Sequence, residues 1–313
     1  MTPAELPLER DLRFGIITQA DGVASARAVV EEAERHAFDS LWVGDHVAFP
    51  VPILDPFLQL AQMAVFSDRL LLGTAVYLLP LRQPVLVAKQ VATLDRLCGG
   101  RLVFGVGVGG EFPGEYAACE VSLRERGQRL SEAIPLVRSL VRGEPTAATG
   151  KAFRFPETTL VPPSLQPDGP PIWCGGRAPA ALRRMGRMGD GWVSYVVTPE
   201  RYKEGLETIA REAAGSRRKI ARFGTGHLLF TRIDDSLETS LEIATAHLSR
   251  RYAMDFREPA RRYAALGAPH DVAARIAAFR DAGVRHVILD LVGPFEERSA
   301  QLERFAREVA PLL

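Results

Sequence analysis

Three short stretches of this chain carry residue types that could do chemistry. Asp45-His46 follows the apolar run Leu41-Trp42-Val43-Gly44. An imidazole with an unperturbed pKa near ~6.5 gives or accepts a proton at working pH, and the neighbouring carboxylate could tune it. The plain alternative is a polar pair that only ties down the next loop. Gly107-Val108-Gly109-Gly110 ends a second apolar run. Its bare backbone lets a planar ring lie close, or it is a tight turn with close packing. Gly175-Gly176-Arg177 ends a third, just ahead of a helix pattern that opens near Pro179. Amides at a helix start and a guanidinium suit a phosphate, whereas a strand-exit turn with a solvated arginine is the bland reading.

These stretches share one position, the carboxyl end of an apolar strand, and the elements around them repeat. Strand patterns fall at residues 12–18, 39–44, 70–77, 101–106, 171–176, 191–196, 221–231 and 284–291. Helical patterns fall at 24–37, 55–66, 84–97, 120–142, 179–188, 199–214, 234–251, 271–282 and 296–309, with further helix expected around 259–266. Near-continuous apolar strands joined through helices mean a parallel sheet buried on both faces. About eight such units in 313 residues predict a single α/β domain, a (β/α)8 barrel. A doubly wound sheet with an appended domain is the rival. In a barrel, chemistry gathers at the strands' carboxyl ends, which adds Thr74, Ala75, Val76 and Tyr77 from the third strand and Ser194 and Tyr195 from the sixth. Residues 143–171, rich in Pro, Gly and Thr, interrupt the rhythm as an insertion, and their length suggests a lid or wall.

Other residues read as structure. Trp42, Trp173 and Trp192 lie in apolar strands and suit the core. Asp95 and Arg101 are expected to be structural, and Asp190-Gly191 to be a turn. The glycine run from Gly107 is not the dinucleotide fingerprint, because it follows the fourth strand and Phe112-Pro113-Gly114 is expected to interrupt any immediate helix. Three dispersed cysteines and six unclustered histidines give neither a disulfide framework nor a metal site. Thirty-nine basic against 38 acidic residues, a net charge of +1, argue for neither nucleic acid nor an anionic membrane. No apolar window is long enough to span a bilayer, and the start of the chain lacks a signal core; the expectation is a reduced, cytoplasmic protein.

The chain resembles the bacterial luciferase-like flavin-dependent family, most closely the branch using the deazaflavin coenzyme F420. The likeness runs from about Leu12 to the C-terminus. It is carried by Ser40-Leu41-Trp42-Val43-Gly44-Asp45-His46, by the segment from Gly73-Thr74-Ala75-Val76 through Leu79-Pro80-Leu81-Arg82-Gln83-Pro84 and Gly99-Gly100-Arg101 to Gly110, by Ile172 to Gly176 with Gly189-Asp190-Gly191-Trp192, and by Gly267-Ala268-Pro269 through Asp281-Ala282-Gly283-Val284. The resemblance implies a barrel with insertions, often a homodimer. It implies a non-proline cis peptide at Ala75–Val76 behind the cofactor ring, with Thr74, Ala75 and Val76 and the run Gly107, Val108, Gly109 and Gly110 flanking that ring. Gly175, Gly176 and Arg177 would hold the cofactor phosphate, and His46, with Asp45 beside it, would serve catalysis. The corner at Val76 and the glycine exit would form a slot for a flat tricyclic ring. Relatives acting on a sugar phosphate carry an acid where this chain has Gly110, with Glu111 one place later.

The expected activity is hydride transfer between F420 and a small organic substrate, His46 assisting the proton. An FMN-dependent monooxygenase using reduced flavin and O2, with a separate reductase supplying the reduced cofactor, is the alternative. A non-catalytic flavin-binding barrel is a third reading.

Overall fold

A computed structural model describes residues 6–49, 51–110, 112–216, 218 and 220–313. The strands are β1 (Arg13–Ile17), β2 (Ser40–Val43), β3 (Leu71–Thr74), β4 (Leu102–Val106), β5 (Thr146–Thr149), β6 (Arg154–Thr158), β7 (Ile172–Gly175), β8 (Gly191–Tyr195), β9 (Gly224–Ile233), β10 (Ala265–Gly267) and β11 (His286–Leu291). The helices are α1 (Val23–Arg35), α2 (Pro56–Ala64), α3 (Pro84–Leu97), α4 (Pro113–Ala118), α5 (Arg126–Val141), α6 (Pro179–Met188), α7 (Pro199–Gly215), α8 (Leu237–Tyr252), α9 (Arg257–Tyr263), α10 (Pro269–Asp281) and α11 (Arg298–Arg304). Six of them (α2, α3, α4, α6, α7 and α10) open on proline, whose fixed φ suits the first turn and whose missing N–H would have no partner there.

Eight parallel strands close in the order β11-β1-β2-β3-β4-β7-β8-β9, with β9 pairing back to β11. This is the (β/α)8 barrel. Its interior is one cluster: Trp42, Val103, Trp173, Val193 and Ile288, capped by the half-buried Ile17, Ala75 and Val76. Every member comes from a strand or its exit. Two indoles are large for an eight-stranded bore, and the neighbouring strands make room with glycine. A Cβ on Gly73 would lie 2.3 Å from the Trp42 ring, and one on Gly224 would lie 2.0 Å from the Trp173 ring. At the foot, the Ser40 hydroxyl accepts from Trp42 Nε1 at 2.7 Å and pairs with His286 Nε2 at 2.6 Å. Trp192 faces outward instead and stacks on Tyr202 of α7, with ring centroids 4.4 Å apart.

Four sequence expectations change. The stretch around 259–266 splits into α9 and β10, because Ala265, Leu266 and Gly267 pair with Thr231, Arg232 and Ile233 of β9, beyond the point where β8 ends. The helix expected from 120 starts at Arg126, after a 3-10 turn at Leu123–Glu125. Pro113 opens α4 rather than preventing a helix. The insertion at 143–171 is no lid. It leaves α5 and enters β7 at the amino ends of the strands, the face opposite their exits. There Asp95 accepts the Leu165 and Gln166 amides at 2.8 and 2.9 Å, and the Gln166 side chain donates to the Leu102 carbonyl at 3.0 Å. Its β5–β6 hairpin lies along α5, with Phe153 under Arg129 at 4.7 Å and the Ala152 amide on Glu132.

Asp190 also belongs to that foot, bound by Arg138, Arg218 and the Ile172 amide. Arg101 donates to the Leu70 and Ser67 carbonyls. Both are structural.

Gly73→Ala should lower stability by about 1–3 kcal/mol through overpacking against Trp42, and Trp42→Phe in the same chain should recover part of that; denaturant midpoints read both. Burial pushes the His227 and His286 imidazoles down to about 3. In the unfolded chain they titrate near ~6.5, so the unfolded state binds the extra protons between those values. Stability should therefore be fully present above about pH 6.5 and fall as pH drops toward 3. His227→Gln should flatten that slope; an unchanged slope would contradict it.

Candidate functional site

The exits of β2, β3, β4 and β7 adjoin one another at the carboxyl end of the barrel. The Ala75 amide donates to the Val43 carbonyl at 2.8 Å, so the chain leaves β3 beside the exit of β2. The Ala75–Val76 peptide is cis, as the resemblance implied. A Cβ on Gly107 would stand 2.3 Å from Val76 Cγ2, and one on Gly175 would stand 2.7 Å from Val76 Cγ1. Val76 therefore seats its isopropyl group against the bare backbones of two strand exits. The expected slot between the Val76 corner and the glycine exit is closed by Val76 itself. What remains is a floor whose open part is Ala75 and Val76, half-buried over the barrel core, with Gly107 and Gly175 buried against Val76.

The other expected contacts divide. Thr74 is fully buried and its hydroxyl donates to the Gly105 carbonyl at 2.6 Å, binding β3 to β4 rather than facing outward. Val108 is half-buried, and its carbonyl accepts the Tyr116 hydroxyl. Gly109 and Gly110 have φ of +54° and +106°, and a Cβ on Gly109 would lie 2.7 Å from Leu78, so close packing explains this part of the run. The Gly176 carbonyl accepts Trp192 Nε1 at 2.8 Å, which fixes the turn ahead of α6. Arg177 is exposed, with its guanidinium 4.9 Å from the centroid of the Tyr195 ring. Glu111 lies outside the described residues.

Asp45 and His46 are neighbours in sequence with different surroundings. The Asp45 side chain is fully buried. Its Oδ2 accepts Arg82 Nη1 at 2.6 Å and the Leu78 amide at 2.8 Å, and its Oδ1 accepts Arg82 Nη2 at 2.9 Å. Burial pushes this carboxyl above its usual range, while the two-pronged guanidinium and the amide pull the other way. With both oxygens engaged, Asp45 anchors the chain after β3 and is placed as a positioning residue rather than a catalytic one. Arg82 in turn lies 4.2 Å over the Tyr77 ring.

His46 is partly open, with 19% of its side chain exposed. Its ring stacks on Phe49 at 4.0 Å and meets the edge of Phe112 at 5.6 Å. Its Nδ1 lies 3.2 Å from both carboxyl oxygens of Glu115, a side chain with no exposure at all. The sequence does not single out Glu115, because Phe112-Pro113-Gly114 reads as helix-breaking. Proline at the first helical position with glutamate two places on is itself a helix-start signal and could have found it. Ala48, Phe49, Phe112, Pro113, Gly114 and Glu115 line a shallow cleft of about 420 Å³ beside the imidazole. The loops after β2 and β4, rather than the insertion, thus shape the space next to His46.

No group of three or more metal-ligating side chains occurs among the described residues. Cys174 is buried in β7, its thiol pushed up to about 12 by burial, so it is no nucleophile.

Arg82→Met leaves Asp45 buried without its partner and should cost about 3–5 kcal/mol at pH 7. The folded-state pKa of Asp45 would then rise further above its unfolded value near ~3.9, so the deficit should shrink as pH falls and the carboxyl protonates. Urea midpoints at pH 7 and pH 5 test this; a deficit independent of pH would contradict it.

Comparison with known proteins supplies the family. The luciferase-like monooxygenase model matches residues 12–310. The F420-dependent glucose-6-phosphate dehydrogenase of Kineococcus radiotolerans is 28% identical across 96% of this chain and 97% of that protein. The oxygenase component of the flavin-dependent trigonelline monooxygenase of Acinetobacter baylyi is 34% identical over 47% of this chain and 41% of that protein. Among solved structures, a monooxygenase from Streptomyces bottropensis superposes with a TM-score of 0.82 at 23% identity, covering 96% of this chain and 99% of that one. An F420-dependent secondary alcohol dehydrogenase superposes with 0.84 at 18% identity, covering 97% and 99%. With the barrel closed as described and the family model matched over nearly its whole length, the chain belongs to the luciferase-like monooxygenase family.

Proposed function

We propose that this protein is an oxidoreductase that binds the deazaflavin F420 at the barrel mouth and moves a hydride between it and a small organic substrate. The observation that carries the reading is the floor of Val76 against Gly107 and Gly175. A side chain at either glycine would need the volume Val76 occupies, so the two strand exits stay bare and low. A planar ring fits such a surface from above, and the Gly175-Gly176-Arg177 turn suits the anionic part of the cofactor. The F420-dependent relative aligned over 96% of the chain supports the choice of deazaflavin.

When bound, the cofactor supplies the redox chemistry at its ring carbon. The chain's residues do the rest. Val76 and the glycine exits would hold the ring. The Asp45–Arg82 pair fixes the exit of β3 on which Val76 stands. His46 gives or takes the proton that accompanies the hydride. Phe49 and Phe112 present apolar faces beside it.

The second reading is an FMN-dependent monooxygenase working on reduced flavin and O2. The partial match to a flavin-dependent monooxygenase oxygenase component favours it. A floor of small apolar side chains and bare glycine backbone accepts either tricycle, so one experiment separates the two. Titration with F420 and with FMN, read by fluorescence, should show saturable binding of F420 and none of FMN. FMN binding alone would replace the first reading with the second, and binding of neither would remove both. With F420 bound, His46→Ala should lower turnover by about 10²–10⁴ while leaving cofactor affinity within a few-fold; unchanged turnover would remove His46 from catalysis.

A further inference from the structure

His46 is held from a second element. Glu115 sits in α4, 69 residues away in sequence, with its side chain wholly buried. Both its oxygens lie 3.2 Å from His46 Nδ1, and Oε2 also accepts the Val47 amide at 3.1 Å. A carboxylate is an acceptor only, and this one already takes the Val47 N–H. Facing it, a neutral imidazole must carry its proton on Nδ1, which leaves Nε2 with the free lone pair. The same carboxylate fixes the backbone one residue past the ring, through Val47. Phe49 stacked on the ring and Phe112 against its edge hold its plane.

We infer that Glu115 is the positioning residue of the site: it locks His46 in the Nδ1–H tautomer and turns Nε2 into the proton-accepting and proton-donating atom. The inference rests on His46 as the proton-transfer group, and it is tested without cofactor or substrate. Asp45, the nearer carboxylate in sequence, cannot take this part, since Arg82 and the Leu78 amide occupy it. The arrangement is that of a carboxylate orienting an imidazole, in which exchange of the acid for its amide lowers turnover by up to about 10⁴ through the wrong tautomer.

The test is ¹⁵N NMR of the full chain labelled at histidine, above pH 8, with the His46 signals assigned by their loss in His46→Asn. Wild type should show a protonated Nδ1 and a bare Nε2. In Glu115→Gln the amide can also donate, so the Nε2–H form should appear. Glu115→Asp should keep the wild-type tautomer if the shorter acid still reaches the ring. A wild-type ring protonated on Nε2 would overturn the inference, as would a Glu115→Gln ring with its tautomer unchanged. Failure of F420 to bind would sink the proposed function yet leave the tautomer result standing, so the two failures are told apart.

Discussion

The contact between the Val76 isopropyl group and the backbones of Gly107 and Gly175 ties the mouth of this barrel together. It joins the exits of three strands, β3, β4 and β7, at one point. A methyl group added to either glycine would lie closer to Val76 than real carbons approach, so the chain has no freedom to decorate these exits. Beneath, Trp42 and Trp173 fill the bore on glycines of the neighbouring strands and close it below the floor. The barrel is therefore a plugged cylinder, in keeping with the layered packing of such folds.

Two carboxylates divide the labour around that floor. Asp45, buried and gripped by Arg82, spans the exits of β2 and β3 and determines where the chain after Val76 runs. Glu115, equally buried, meets the imidazole of His46, which the β2 exit leaves partly open. Adjacent residues thus serve opposite ends: Asp45 is saturated by partners from its own side of the site, while His46 is oriented by a helix beyond β4. A carboxylate satisfied by a guanidinium fork holds geometry, whereas one satisfied by an imidazole and an amide holds a proton in place.

Much of this was legible in the sequence because the signals are local. Apolar strands with glycine exits point to the barrel, and the helical patterns at 84–97 and 199–214 match α3 and α7. The motif around Thr74 to Pro84 pointed to the Ala75–Val76 corner. What sequence reading misplaced depends on distant partners. The length of the 143–171 segment suggests a lid or wall, and it is Asp95 and Leu102 that show it bracing the foot. Thr74 looks like a ligand contact until the Gly105 carbonyl claims its hydroxyl. Glu115 was invisible as a partner of His46 because 69 residues separate them, and Ala265–Gly267 became a strand because β9 overhangs β8.

The central claim is that a flat tricyclic ring rests on Val76. The most direct measurement is a nuclear Overhauser spectrum of the protein with its valine methyl groups labelled and F420 bound. Cross-peaks between the ring protons of the deazaflavin and the Val76 methyl groups are the predicted result. A tightly bound deazaflavin whose ring protons contact other valines and leave Val76 silent would contradict the account.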